Sequence, residues 1–280
     1  MIRFLRQFDP RTIRLLIFDL DGTLIDSRLD LIHSINAMLR HFGRPELPGE
    51  LIATYVGDGA PTLVRRALSN PGVDPAFHPT HDPGGRSAND AVDGVAGGAV
   101  DEEFFKAALD YFLGYYRLHK LDHTTVYAGI PEVLAELAGG ASGADTLQAS
   151  TSQKPGALPS ADRSVRPTRK MAVLSNKPVR PSQDIVQALG LGQYFVRVYG
   201  GNSFPTKKPD PLGAETILHE TGVTPEEALM IGDSSIDVQT GRNAGLWTCG
   251  VTYGFAPHTL EEVPPDVVIE KPSELGELLG

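Results

Sequence analysis

The 280-residue sequence has a single cysteine, Cys249, so no disulfide can form within the chain. That fits a reducing compartment. Positive charge is also in short supply: 25 Lys and Arg face 35 Asp and Glu, for a formal net charge of −10. Affinity for a phosphate backbone comes from clustered Lys and Arg, so this balance argues against a general nucleic-acid binder. Long hydrophobic runs are missing too. Leu15-Leu16-Ile17-Phe18 falls far short of the roughly 20 apolar residues that cross a bilayer. The N-terminal stretch carries Arg3, Arg6, Arg11 and Arg14 against Asp9 alone. It has neither the apolar segment nor the small-residue cleavage site of a signal peptide. It reads as an ordinary basic leader, and the protein as cytoplasmic with no membrane partner.

Glycine and proline are abundant by contrast, with 30 and 22 copies. They concentrate in residues 70–100 and 139–169, which show no usable periodicity and read as long loops without assigned chemistry. Over the whole sequence a hydrophobic fraction of 41% is enough for a substantial core. A short β-branched run at residues 13–18 predicts a buried strand, and Asp26 and Ser27 supply cap chemistry for a helix to about His41. Further helical patterns occupy residues 50–55, 61–69 and 101–119, the last with Phe104, Phe105, Leu109, Phe112 and Leu113 on its apolar side. Another helix is expected at 130–137.

From there the pattern alternates. Strands at 171–174, 195–199, 228–231, 246–251 and 266–269 are separated by helices at 182–189, 212–221 and 236–244. This alternation predicts an α/β fold with a doubly wound parallel sheet. The helical block that interrupts it predicts an inserted all-helical domain, residues 27–123, in a core made of residues 1–26 and 124–280.

Four segments at strand ends carry chemistry-bearing side chains. Asp19-Leu20-Asp21-Gly22-Thr23 follows the first strand, where ligands of open parallel sheets bind. A turn at Gly22 would bring its two carboxylates toward one place. Ser175-Asn176-Lys177 offers a hydroxyl and amides to a phosphate, and Lys208-Pro209-Asp210-Pro211 opens a helix with a positioned ammonium. Gly232-Asp233-Ser234-Ser235-Ile236-Asp237 puts carboxylates four apart at a helix start. Asp233 would face the first carboxylate pair and share a divalent cation with it; oxygen ligands open to a phosphate suit Mg²⁺.

In that order, these segments resemble the four motifs of the haloacid-dehalogenase (HAD) superfamily, and the inserted helices resemble its C1-type cap. The resemblance implies a Mg²⁺-dependent phosphatase acting on small phosphorylated metabolites. It makes Asp19 the nucleophile that forms an aspartyl-phosphate and Asp21 the general acid and base. It implies that Ser175 and Asn176 hold the phosphoryl oxygens and that Lys208 offsets their charge and orients Asp19. Mg²⁺ would be held by Asp19, the main-chain carbonyl of Asp21 and Asp233, with Asp237 in support. It also implies that the cap closes over substrate, with hinges near residues 26–27 and 123–128.

Neighbouring chemistries separate at one position. Dehalogenases place an aromatic residue two after the nucleophile and phosphonoacetaldehyde hydrolases a small one; this chain has Asp21. A phospho-accepting receiver module is much shorter and lacks a helical insertion. Within the superfamily, Tyr55-Val56-Gly57-Asp58-Gly59, Leu63-Val64-Arg65-Arg66-Ala67-Leu68 and Gly200-Gly201 resemble the phosphoglycolate phosphatase group, with Asn202 where that group usually has Asp. The mutases' cap-loop arginine is missing from residues 57–61. The expected reaction is 2-phosphoglycolate to glycolate and phosphate, by a monomer or homodimer; the alternative is a sugar-phosphate phosphatase or mutase, or a pyrophosphatase. Cys249 reads as a buried apolar residue, and His33 and His41 as helix-surface residues rather than ligands.

Overall fold

The computed structural model describes residues 1–70, 101–139 and 168–280. The expected loops therefore lie outside the described residues, apart from Asn70, Gly139, Thr168 and Arg169. Packing divides the described chain into two compact units, Met1–Ser27 with Thr124–Gly280, and Arg28–His123.

The first unit is built on a sheet of seven strands among the described residues. They are β1 (Arg3–Phe4), β2 (Leu15–Phe18), β5 (Lys170–Leu174), β6 (Arg197–Tyr199), β7 (Ala228–Gly232), β8 (Trp247–Val251) and β9 (Val267–Ile269). Two further short strands, β3 (Ile25–Asp26) and β4 (Thr125–Val126), pair with each other where the chain leaves this unit and returns to it. The order across the sheet is β1-β9-β8-β7-β2-β5-β6, parallel except for β1. From β2 the chain builds outward through β5 and β6, then crosses to β7 and builds the other way. The reversal between β2 and β7 is the place where open α/β sheets bind ligands.

The central strands explain why their sequences are continuously apolar. All four residues of β2 are buried, Leu16 and Phe18 in one core cluster and Leu15 and Ile17 in another. Alternation along the strand supplies both faces of the sheet. Helices α5 (Ile130–Leu137), α6 (Val179–Ala188) and α9 (Ser273–Leu279) feed the first cluster; α7 (Leu212–Thr221) feeds the second. The remaining core helix, α8 (Ser235–Asn243), follows β7, and its Gly241 lies against Thr248 and Met230.

The supposed leader is part of the sheet. β1 pairs antiparallel with β9, Arg6 forms an ion pair with Asp266 at 2.8 Å and lies over Trp247, and Phe8 stacks on the same indole. Two residues are too few to show a strand period, so composition was the only signal there. Arg169, in a stretch with no assigned role, is 4% exposed and donates to the carbonyls of Ile13 and Leu279.

The second unit contains α1 (Arg28–His41), α2 (Gly49–Ala53), α3 (Ala60–Leu68) and α4 (Glu102–His119). α4 starts at its Asp101 cap, whose side chain accepts the N–H of Phe104. Its buried face is Phe105, Ala108, Phe112 and Tyr116, while Phe104, Leu109 and Leu113 are only partly buried at its flank. These meet Leu31, Ile35, Met38 and Leu39 of α1 in one apolar cluster. The loop after α1 is pinned by a two-way exchange between the Asn36 amide and the Leu47 main chain, each bond 3.0 Å. The glycine-rich segment 55–59 is held to α3 by Arg66, which pairs with Asp58 at 2.6 Å and donates to the Tyr55 carbonyl. No helix among the described residues is long and apolar enough to cross a membrane.

Candidate active site

The carboxyl ends of three adjacent strands, β7, β2 and β5, bring the sequence motifs together. Asp19 directly follows β2 and donates its main-chain N–H to Ile231 on β7 at 2.9 Å. The chain then turns tightly, the N–H groups of Thr23, Leu24 and Ile25 all converging on the Leu20 carbonyl. Gly22 sits in this turn at φ +83°, a left-handed conformation that side chains disfavour. A Cβ there would also collide with the Asp233 carboxylate.

Asp19, Asp233 and Asp237 are all buried, and one carboxylate oxygen from each lies within 4.8 Å of the others. Lys208 is set among them, its Nζ 2.8 Å from Asp19 and 2.6 Å from Asp237. The lysine is fixed from behind: the Asn176 side-chain amide donates to the Lys208 carbonyl at 3.2 Å, and that of Asn243 donates to the Pro209 carbonyl at 2.8 Å. The Lys208–Pro209 peptide is cis. Asp237 has a second task. It closes a capping box with Ser234 at the start of α8, accepting the Ser234 hydroxyl at 2.7 Å and its N–H at 3.2 Å. Asp233 accepts the N–H groups of Phe255 and Ala256.

The electrostatics of the cluster follow from this crowding. Burial, followed by the charges of Asp237 and Asp19, pushes the Asp233 carboxyl up to about 8. Burial pushes Asp19 up to about 6, against the pull of Lys208. Burial by itself would lower the Lys208 ammonium, but Asp19 and Asp237 reverse this and hold it above the ordinary lysine range. Two of the three buried carboxylates thus share one ammonium, and Asp233 lies beside them without it. A cation with hard oxygen preference fits that donor set, and Mg²⁺ is the common choice for few carboxylates beside a phosphate.

Asp21 has a different set of partners from the acidic cluster. Both its oxygens accept Lys177 Nζ, at 3.1 and 3.0 Å, and Oδ1 also accepts the Ser27 hydroxyl. Lys177, itself nearly inaccessible at 6%, was not singled out as a site residue by sequence reasoning. Its signal was its place directly after Ser175-Asn176. Ser175 and Asn176 are buried at the end of β5; the Ser175 hydroxyl accepts the Lys177 N–H at 3.3 Å. The paired glycines pack directly on this loop. A Cβ on Gly200 would strike the Lys177 carbonyl, and one on Gly201 the Asn176 carbonyl. Asn202 supplies a carbonyl oxygen to the Val179 N–H at 2.8 Å at the start of α6, a contact that an aspartate would make equally well. Cys249 is buried, and burial raises its thiol well above the ordinary range.

Comparison with known proteins gives the family. The model of the haloacid dehalogenase-like hydrolase family matches residues 13–245. The chain is 33% identical over 267 residues to a phosphoglycolate phosphatase of Pseudomonas putida, covering 94% of this chain and 79% of that protein. It is 32% identical to a phosphoglycolate phosphatase of Chromobacterium violaceum, covering 95% and 96% of the two. Its fold is similar to the crystal structure of a predicted phosphoglycolate phosphatase from Haemophilus somnus, with a TM-score of 0.73 at 24% identity over 96% and 99% of the two chains. With motif order, sheet topology and family match in agreement, the chain belongs to the haloacid dehalogenase-like hydrolases.

Proposed function

We propose that this enzyme hydrolyses small phosphomonoesters, 2-phosphoglycolate foremost, through an aspartyl-phosphate on Asp19. The observation that carries the reading is Lys208, held at once by Asp19 and Asp237, with Asp233 alongside at the same sheet edge. A carboxylate oxygen of Asp19 attacks phosphorus as the ester P–O bond breaks, and Asp21 gives its proton to the departing oxygen. Asp21 then takes a proton from water, whose oxygen attacks phosphorus and releases Asp19 and phosphate. Ser175 and Asn176 hold phosphoryl oxygens, and Lys208 counters their charge. Mg²⁺ would be held by Asp19, Asp233 and the Asp21 main-chain carbonyl, with Asp237 in support, and when bound it supplies positive charge against the phosphoryl group. The helical unit, inserted between Ser27 and Thr124, is assigned the part of substrate-selecting cap.

The names of the curated relatives support 2-phosphoglycolate as substrate. Purified protein with Mg²⁺ is expected to release phosphate from it with the highest kcat/KM in a panel of sugar phosphates, nucleotides and pyrophosphate. An inert 2-phosphoglycolate beside a rapidly cleaved sugar phosphate or pyrophosphate would overturn the narrow assignment. Interconversion of a bisphosphorylated sugar would mark a mutase.

Lys177 is proposed to position Asp21 for both proton transfers. Lys177→Met should lower kcat by about 10–100-fold while leaving KM within a few-fold, because the lost contact aims the acid and base rather than the substrate. A rise in KM at unchanged kcat would assign Lys177 to substrate binding instead.

The raised carboxyls give the metal dependence a sign. In the unfolded chain they titrate near 4, roughly where free Asp does. Between about pH 4 and 8 the folded, metal-free protein keeps protons that the unfolded chain has lost, so its stability falls as pH rises through that window. A cation needs those carboxylates ionised. Added Mg²⁺ should therefore raise the melting temperature more at pH 8 than at pH 6. An equal rise at both would remove Asp19 and Asp233 from the binding site.

A further inference from the structure

The helical unit holds a second cluster of metal-ligating side chains. Asp30 and His33 lie three residues apart on α1 and so share a face of the helix. Asp30 is 1% exposed, and its carboxylate oxygens accept the main-chain N–H of His123 at 3.0 and 3.2 Å. That contact fastens the last residue of the unit to the first turn of its first helix. It also sets the His123 ring beside that of His33, with centroids 5.1 Å apart and planes at 77°. One ligand atom from each of Asp30, His33 and His123 lies within 4.8 Å of the other two, and both imidazoles are exposed.

We propose that Asp30, His33 and His123 bind a divalent transition-metal ion of the zinc, cobalt, nickel or copper class. The donors decide the class. Two imidazoles with a carboxylate suit these ions, whereas Mg²⁺ prefers oxygen throughout. Ligands at about 2.0–2.2 Å from one ion stand roughly 3–4 Å from each other, so modest rotation of two surface rings closes the set. The main-chain N–H of His123 fixes the direction of the Asp30 carboxylate, as hydrogen bonds to a ligating group do. Water completes the coordination. Nothing local marks His33 for this role, because His123 lies far away in the chain. The ion would join residues 30 and 33 to residue 123 and thereby tie the beginning of the helical unit to its end.

Nitrogen ligation distinguishes this site from the all-oxygen cluster around Asp19. With full-length protein saturated in Mg²⁺, one equivalent of Cu²⁺ should give an electron paramagnetic resonance spectrum with couplings from two imidazole nitrogens. His33→Ala and His123→Ala should each weaken Co²⁺ binding at least about tenfold by calorimetry. The double variant should lose the nitrogen couplings. His119→Ala, which removes a separate surface His–Asp pair, should bind as the parent does. Should an alanine variant misfold, the corresponding glutamine variants serve with the same expectations. Unchanged Co²⁺ affinity and unchanged nitrogen couplings in the double variant would overturn the proposal, as would copper ligated by oxygen alone.

Discussion

Asp19→Asn is expected to reduce phosphomonoester turnover by at least about 10⁴-fold, the scale on which removing a covalent nucleophile acts. The substitution keeps shape and volume at the end of β2, and Lys208 retains Asp237 as a partner. Burial already pushes the Asp19 carboxyl up to about 6, so a neutral amide relieves an unfavourable buried charge. The melting temperature of the metal-free variant should hold or rise while activity disappears. That opposite movement separates a chemical role from a structural one. Turnover within about tenfold of the parent would exclude Asp19 as nucleophile.

Lys208→Met should be costly in both respects. It leaves Asp19, Asp233 and Asp237 buried together without the ammonium that Asp19 and Asp237 share. Breaking a buried ion pair by removing one partner costs roughly 3–5 kcal/mol. For a protein of this size that corresponds to a fall in melting temperature of roughly 10 °C. The loss should shrink toward acid pH as the stranded carboxylates take up protons, and should be smaller with Mg²⁺ present. Adding Asp237→Asn to Lys208→Met should restore part of the stability and none of the turnover. A double variant whose loss equals the sum of the losses of Lys208→Met and Asp237→Asn would show that the two residues are not energetically coupled.

Most of the core could be read from the chain because its strands are buried on both faces. The apolar runs at β2, β5 and β7 have no polar alternation to confuse them, and the glycines and prolines between elements mark the breaks. Gly129 before α5 and Gly222 after α7 mark the ends of those helices. β1, β3 and β4 were missed because two residues carry no period; their pairing depends on partners more than 90 residues away. On α4 the apolar stripe is wider than the buried face, so the packing partner, not the stripe, selects Phe105 and Phe112 over Phe104 and Leu109.

The candidate site was legible as a set of strand-end motifs, but its wiring was not. Asp237 reads from sequence as a first-turn helix carboxylate, and it is one, through its box with Ser234. That it also grips Lys208 depends on a loop 29 positions earlier in the chain. Lys177 was passed over because nothing in a linear sequence shows that its ammonium reaches Asp21, 156 residues away. Long side chains give no periodic signal, so the partners of buried lysines emerge only from the fold.

The glycines around Asp233 have a bearing on how this enzyme can change. Gly22 and Gly254 press against its carboxylate, and Gly232 lies against that of Asp237, with no space for a Cβ at any of the three. At these three points the acidic centre is bounded by peptide backbone, which mutation cannot vary residue by residue. Substitutions there offer no graded series of altered sites; each one displaces a carboxylate. Any drift toward a new phosphate ester has to begin in side chains outside that wall, leaving the chemistry around Asp19 unaltered while preference moves.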